Sequence, residues 1–186
     1  MRTRIWLPAI ALLLATGCGP CGYNRVVAEE QQVDHSWSQV ESQMQRRADL
    51  IPILVETAKG YVQHEPEVFA AIANSRAAIL SASTRVEKID KSNQLDLAIA
   101  RLVPLGDTYP QLKSDPLYTK SMEELSGIES RLAAERSRYN EAVRIYNTDV
   151  KEPPGAWFAK LGNFPAQKES FPAPATSGVA ANSTLH

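Results

Sequence analysis

The sequence predicts an all-α protein: an elongated antiparallel (up-down) bundle of four main helices, followed by a short C-terminal helix. Three observations carry that prediction. Two long stretches, 26–62 and 115–150, keep apolar residues at steps of three and four, the period of a helix with one buried face. No stretch alternates apolar and polar residues with a period of two, and Gly-rich strand turns are absent, so nothing points to a sheet. The connections between the periodic stretches are short, which favours antiparallel neighbours.

The first long helix has the seam Val33, Trp37, Val40, Met44, Arg47, Ile51, Leu54, Ala58 and Tyr61. Glu29, Glu30, Gln31, Gln39, Glu41, Gln43 and Gln45 fall on its solvated face. His64-Glu65-Pro66 ends it, and Pro66 suits the first turn of a second helix, where a missing N–H costs nothing. That helix carries Val68, Ile72, Ser75, Ile79, Ala82 and Val86. A third is expected to start at Asp90 or Ser92, either of which can cap it, with the stripe Leu95, Ala98, Leu102, Leu105 and Tyr109. Pro104, Gly106 and Pro110 make its end irregular. Asp115-Pro116 opens the fourth helix, whose seam is Tyr118, Met122, Leu125, Glu129, Leu132, Arg136, Tyr139, Val143, Tyr146 and Val150. Pro153-Pro154-Gly155 stops it. Residues 156–162 then form a short helix, whose large apolar side chains are expected to fold back onto the bundle. From Pro165 onward the chain is Pro, Ala, Ser and Thr with little to bury, which predicts a disordered tail, 165–186.

The N-terminus reads differently. Arg2 and Arg4 precede an uncharged, Leu- and Ala-rich run from Ile5 to Gly17. The run is short for a bilayer-spanning helix, which needs about 20 apolar residues, and it suits the core of a secretory signal. Leu14-Ala15-Thr16-Gly17-Cys18 resembles the lipobox of bacterial lipoproteins, with Ala15 where Leu is more common. Residues 1–17 are therefore expected as a signal peptide, 18–25 as a lipid-anchor linker, and 26–164 as the bundle. Cys18 is the lipidation site, though a leader that stays uncleaved as a membrane anchor remains open. Cys18-Gly19-Pro20-Cys21 also has the letters of a redox motif. That motif needs a strand before it and a helix after it in a βαβ unit, and a signal-like run stands there instead. Cys21 is left as a spectator or as a thiol for an intermolecular disulfide. The implied location is the bacterial cell membrane or outer membrane, with the bundle facing the periplasm or the exterior. Gly19 lacks the Asp that often retains lipoproteins at the inner membrane, which leans toward the outer one.

Two features of the first helix stand out. Pro52 lies well inside it, where a proline costs about 3 kcal/mol and frees the carbonyl four residues back, here that of Ala48. Pro52 falls on the outer side, so water is expected to satisfy that carbonyl. Arg47 occupies a seam position, where a buried charge needs a carboxylate. With Val26 level with Val150, residue n of the first helix faces residue 176 − n of the fourth. Arg47 then meets Glu129, a structural ion pair that fixes register. Arg136 falls opposite Val40 and Glu41, which makes Glu41 its expected partner.

These residues also carry a resemblance. "YNRVV", "WSQVESQMQRRADLIPILVETAKGYVQHE" and "RYNEAVRIYN" are similar to the LemA family over about residues 22–165. The specific core is Arg46, Arg47, Asp49, Leu50, Ile51 and Pro52, followed by Gly60-Tyr61 and His64-Glu65. The pairs Tyr23-Asn24, Tyr139-Asn140 and Tyr146-Asn147 add to it. The resemblance implies an N-terminal membrane segment with an elongated helical bundle beyond it. It implies no biochemical activity; relatives associate with the envelope, and their genes often neighbour membrane proteases or phosphatase-like envelope proteins. Two departures matter. A lipobox-like leader stands where many relatives have a spanning helix, and Ile53 stands where the family tends to have Asn.

Composition and motifs argue against chemistry. A formal net charge of −1, with 44% hydrophobic and 22% charged residues, favours neither nucleic acid nor an anionic surface. Two cysteines and three histidines are too few for a disulfide framework or a His-rich metal site. His64-Glu65 does not continue into a zinc-protease motif, because Val68 stands where the second His belongs. No catalytic residue and no cofactor is expected, and the protein is read as a non-enzyme. The expectation is an interaction or scaffold module that presents Arg46, Asp49 and Pro52 to an envelope protein. The alternative is a small-ligand sensor with a pocket between the bundle helices.

Overall fold

The computed structural model describes residues 6–62 and 64–172, with side chains from residue 22 onward. Among the described residues every regular element is a helix: α1 (Trp6–Lys59), α2 (Pro66–Ser81), α3 (Arg85–Ile99), α4 (Leu102–Thr108), α5 (Pro110–Lys113), α6 (Pro116–Asp149) and α7 (Gly155–Leu161). The helical-bundle expectation holds. The expected third helix divides into α3, α4 and α5, with breaks at residues 100–101 and at Tyr109. Pro110 opens α5 as expected, whereas Pro104 and Gly106 lie inside α4 and do not interrupt it.

α1 and α6 are the two long rods, and they lie antiparallel. Tyr61 donates its hydroxyl to Asp115 at 2.7 Å, and Arg47 Nε lies 2.6 Å from Glu129. Both pairs sit on the register in which n faces 176 − n. Nearer the N-terminus Arg25 meets Asp149 at 2.7 Å, two residues off that register. α1 runs as one helix of 54 residues from Trp6, about 80 Å at 1.5 Å per residue. Positions 18–25, expected as a linker, are part of that helix. The side chains of residues 6–21 lie outside the described residues, and so does the lipidation of Cys18. Among the described residues no helix is long and apolar enough to cross a membrane.

α2 and α3 form a hairpin laid on this pair. Pro66 occupies the first turn of α2, as its missing N–H allows. α3 starts earlier than expected, at Arg85. Thr84 caps it by accepting from the Glu87 amide at 3.2 Å, and the Glu87 carboxylate reaches back to the Thr84 amide at 3.2 Å. This reciprocal box satisfies two otherwise orphaned donors and overrides the expected starts at Asp90 or Ser92. Asp115 caps α6 by accepting from the Leu117 and Tyr118 amides at 2.8 and 2.9 Å.

The buried interior falls into two apolar clusters. One packs Leu50, Ile51, Leu54 and Ala58 of α1 against Ile72, Leu95, Leu102, Leu125 and Ile128. The other packs Val26, Val33, Trp37, Val40 and Met44 against Ile89, Leu132, Tyr139, Val143 and Tyr146. Each fully buried Leu or Ile contributes about 1.5–3 kcal/mol relative to exposure.

The C-terminal part departs from expectation twice. Residues 165–172 do not begin a disordered tail. They run as an extended strap along α6, and Phe171 is buried against Trp37 and Tyr139. Residues 173–186 lie outside the described residues. In α7, Ala159 is buried, but Trp157 is 67% exposed and Leu161 81% exposed, so those two large side chains do not fold back.

Candidate functional site

Between the two apolar clusters the core turns polar. The Arg47 side chain is only 2% exposed, and it meets two carboxylates, Asp96 of α3 and Glu129 of α6. Its Nε–H is not aimed at the Glu129 oxygen, so that 2.6 Å contact is a charge pair rather than a hydrogen bond. Asp96 also accepts from Arg136 at 3.1 Å, and Arg136 donates to the Ser92 hydroxyl at 2.6 Å. Two guanidinium groups thus face two carboxylates across three helices. Burial pushes the Glu129 carboxyl above its usual range; Arg47 and Arg136 pull it down and Asp96 pushes it up.

The expected Arg136–Glu41 pair does not form. Glu41 pairs with Lys88 of α3. The reason is that α3 runs parallel to α1 and places its own charges between the rods: Arg85 on Asp34 at 2.7 Å, Lys88 on Glu41, and Asp96 on Arg47. Facing only two helices on a register leaves no place for Asp96, and this residue was missed. Its signal was its position beside Leu95 on the edge of the third helix's stripe.

Arg46, Asp49 and Pro52 share an exposed face of α1, away from this cluster. Gln45 donates to Asp49 at 2.9 Å along the same face. α1 continues through Pro52 without a break. The carbonyl it frees, that of buried Ala48, does not wait for water: Arg76 of α2 donates Nε–H to it at 2.6 Å. A charged donor from a neighbouring helix thus replaces the missing backbone N–H, and it pins α2 to the proline turn.

A second arrangement was not foreseen. Asn140 and Asn147, one heptad apart on α6, each read the strap's backbone with both ends of the amide. Asn147 accepts from the Lys168 amide at 2.8 Å and donates to the Lys168 carbonyl at 2.9 Å. Asn140 does the same to Phe171, at 2.8 and 3.1 Å. The preceding tyrosines add hydroxyl donors, Tyr146 to the Pro165 carbonyl and Tyr139 to the Glu169 carbonyl, both at 2.7 Å. Burial, with Glu30 and Asp34 nearby, pushes the Tyr146 phenol up to about 12, so it stays a donor. Lys168 reaches Glu30 at 2.7 Å. The signal lay in the repeated Tyr-Asn pair: an amide beside a seam position needs a partner that a two-helix seam does not supply.

The larger clefts between the described helices open to solvent. One of about 630 Å³ lies between α1 and α6 beside Gln32, His35, Gln39, Glu135 and Glu141. Among the described residues no group of three or more His, Cys, Asp or Glu is placed to hold a metal ion. The ionic cluster, the proline turn and the amide ladder all join helix to helix or helix to strap.

A family model described as the LemA family matches residues 36–182, which takes in the Arg47 cluster, the proline turn and the Tyr-Asn ladder. The chain belongs to the LemA family. This LemA-family chain is similar to magnetosome protein MamQ 2 of Paramagnetospirillum magneticum, at 23% identity over 168 residues covering 76% of this chain and 62% of that protein. It is similar to magnetosome protein MamQ of Magnetospirillum gryphiswaldense at 21% identity, with the same coverage. Protein LemA of Metamycoplasma hominis is 20% identical over 128 residues, covering 68% of this chain and 58% of that protein. The chain thus spans about three fifths of the length of the curated relatives it matches.

Proposed function

We propose that this LemA-family chain is a membrane-tethered, noncatalytic interaction module of the bacterial envelope. In this reading a lipid on Cys18, the N-terminal residue once the 1–17 signal peptide is removed, moors the protein, and the bundle faces the periplasm or the exterior. An envelope protein docks on the exposed face around Arg46, Asp49 and Pro52. The observation that supports the reading best is the continuity of α1. One helix runs from Cys18 to that face and holds it about 45 Å away. A rigid arm of this kind suits presentation to a partner more than it suits chemistry. The small-ligand alternative calls for an enclosed polar pocket, and the larger described clefts are open.

Crosslinking in intact cells, followed by purification of wild type and of Asp49→Lys, tests the docking face. A discrete membrane protein captured by wild type and lost with Asp49→Lys is expected. Identical capture by both would remove this face from the account. Metabolic labelling with a fatty acid tests the tether: Cys18→Ser should abolish incorporation, and retained label would refute lipidation at that thiol.

A further inference from the structure

α7 sits at the end of the bundle where α1 emerges from the leader. Its inner side is fixed by close packing. A Cβ at Gly22 would overlap the Phe158 ring, so the glycine lets α7 lie directly on α1. Gly155 is equally constrained, because a Cβ there would strike the Asp149 carbonyl where α6 ends. Tyr23, itself 40% exposed, packs edge-on against Phe164 at 5.7 Å between ring centres. The outer side of α7 carries Trp157 and Leu161, spaced so that they share one helical face, and Lys160 stands beside them, exposed. Trp157 is 67% and Leu161 81% exposed, the most bare of the large apolar side chains apart from Leu97 of α3.

Position says what covers this face. Gly22 follows the apolar run that ends at Gly17 by five residues of continuous helix, about 8 Å along the axis. That distance is about the depth of one headgroup layer, roughly 5–8 Å, so α7 lies at the outer edge of that layer. Tryptophan is the side chain that favours this layer, with its ring among acyl chains and its N–H among headgroups. Exposed Lys160, on the same face of α7, matches anionic headgroups.

We propose that the outer face of α7, Trp157 and Leu161 with Lys160, is a membrane-contacting surface that inserts into the interfacial layer of the bilayer that holds the N-terminus. The inference rests on the N-terminus being tethered to a membrane, and it holds for a lipid on Cys18 and for an uncleaved leader. It gives the tether a second contact, so the bundle stands on the membrane at a fixed angle rather than swinging from a single point.

The test uses the full chain reconstituted into phosphatidylethanolamine–phosphatidylglycerol vesicles, with and without acyl-chain bromination. The difference in emission between wild type and Trp157→Phe isolates Trp157, because Trp6 and Trp37 are common to both. Vesicle co-sedimentation is read first. A chain that stays in the supernatant removes the tether and this inference with it. For a chain that sediments, loss of most of the Trp157 emission on brominated lipid is expected. Emission that survives bromination and is quenched by aqueous iodide would overturn the inference while leaving the tether standing. Emission that survives both quenchers would also overturn it, since a protein surface, such as a second copy, would then cover the face.

Discussion

Replacing Arg47 with methionine tests the polar core most sharply. The substitution keeps a long, flexible side chain of roughly similar reach and removes the charge. Removing one partner of a buried ion pair costs about 3–5 kcal/mol, because the other is left uncompensated. Here the low end applies. Asp96 keeps Arg136 at 3.1 Å, and the Asp96 and Glu129 side chains are 33% and 37% exposed, so water replaces part of what is lost. We expect Arg47→Met to destabilise the protein by about 3 kcal/mol at pH 7. The loss should shrink in acid. Burial already raises the Glu129 carboxyl, and losing its nearest cation raises it further. A carboxyl raised on folding favours the folded state while protonated, and that advantage disappears as pH rises through its folded value. The penalty of Arg47→Met is therefore smaller near pH 4.5 than at pH 7. Urea unfolding followed by circular dichroism at both pH values measures it, and Arg47→Met with Glu129→Gln closes a double-mutant cycle. A cost under about 0.5 kcal/mol at pH 7, as for an ordinary surface site, or a coupling of zero, would refute the reasoning.

Other expectations follow from the same geometry. Arg76→Ala should cost about 1–3 kcal/mol, because it orphans the buried Ala48 carbonyl. The cost should be smaller in a Pro52→Ala background, where a backbone N–H returns; additive effects would contradict the bridging role. Asn147→Ala removes both amide contacts to Lys168, and hydrogen exchange of the Lys168 amide should accelerate markedly. Unchanged protection would show that the ladder does not hold the strap. Thr84→Ala should lower stability by about 1 kcal/mol through loss of the α3 cap, read as a shift in urea midpoint.

Much of the bundle was legible because two rods dominate it. Their seams pick out many of the buried residues, although Leu50, Val55 and Ile128 beside them are buried too and Tyr61 is 42% exposed, and the 176 − n register brings Arg47 to Glu129 from numbering alone. What was not legible came from the third body in each contact. Asp96 and Lys88 enter from α3, so Arg136 and Glu41 take partners that a two-helix register cannot supply. The α3 cap was missed because Val86 continued the preceding stripe, although Ser83-Thr84-Arg85-Val86-Glu87 contains a capping box. The strap was missed because its composition is that of a solvated tail. Its order comes from backbone groups read by Asn140 and Asn147, and composition does not record backbone hydrogen bonds. Trp157, expected to fold inward, is 67% exposed, because the short α7 has room to pack only its Phe158 and Ala159 side against the bundle.

The register of α1 against α6 underlies the placements above, including that of Arg46, Asp49 and Pro52 and that of α7 toward the other end. Spin labels on the exposed positions Ser38 and Arg138, in a chain with Cys18 and Cys21 replaced by serine, measure it directly by pulsed dipolar spectroscopy. The two sites should be level across the pair, while labels at Ser38 and Ser126 should be farther apart by an axial offset of about 18 Å. A Ser38–Ser126 distance equal to or shorter than Ser38–Arg138 would contradict the antiparallel register.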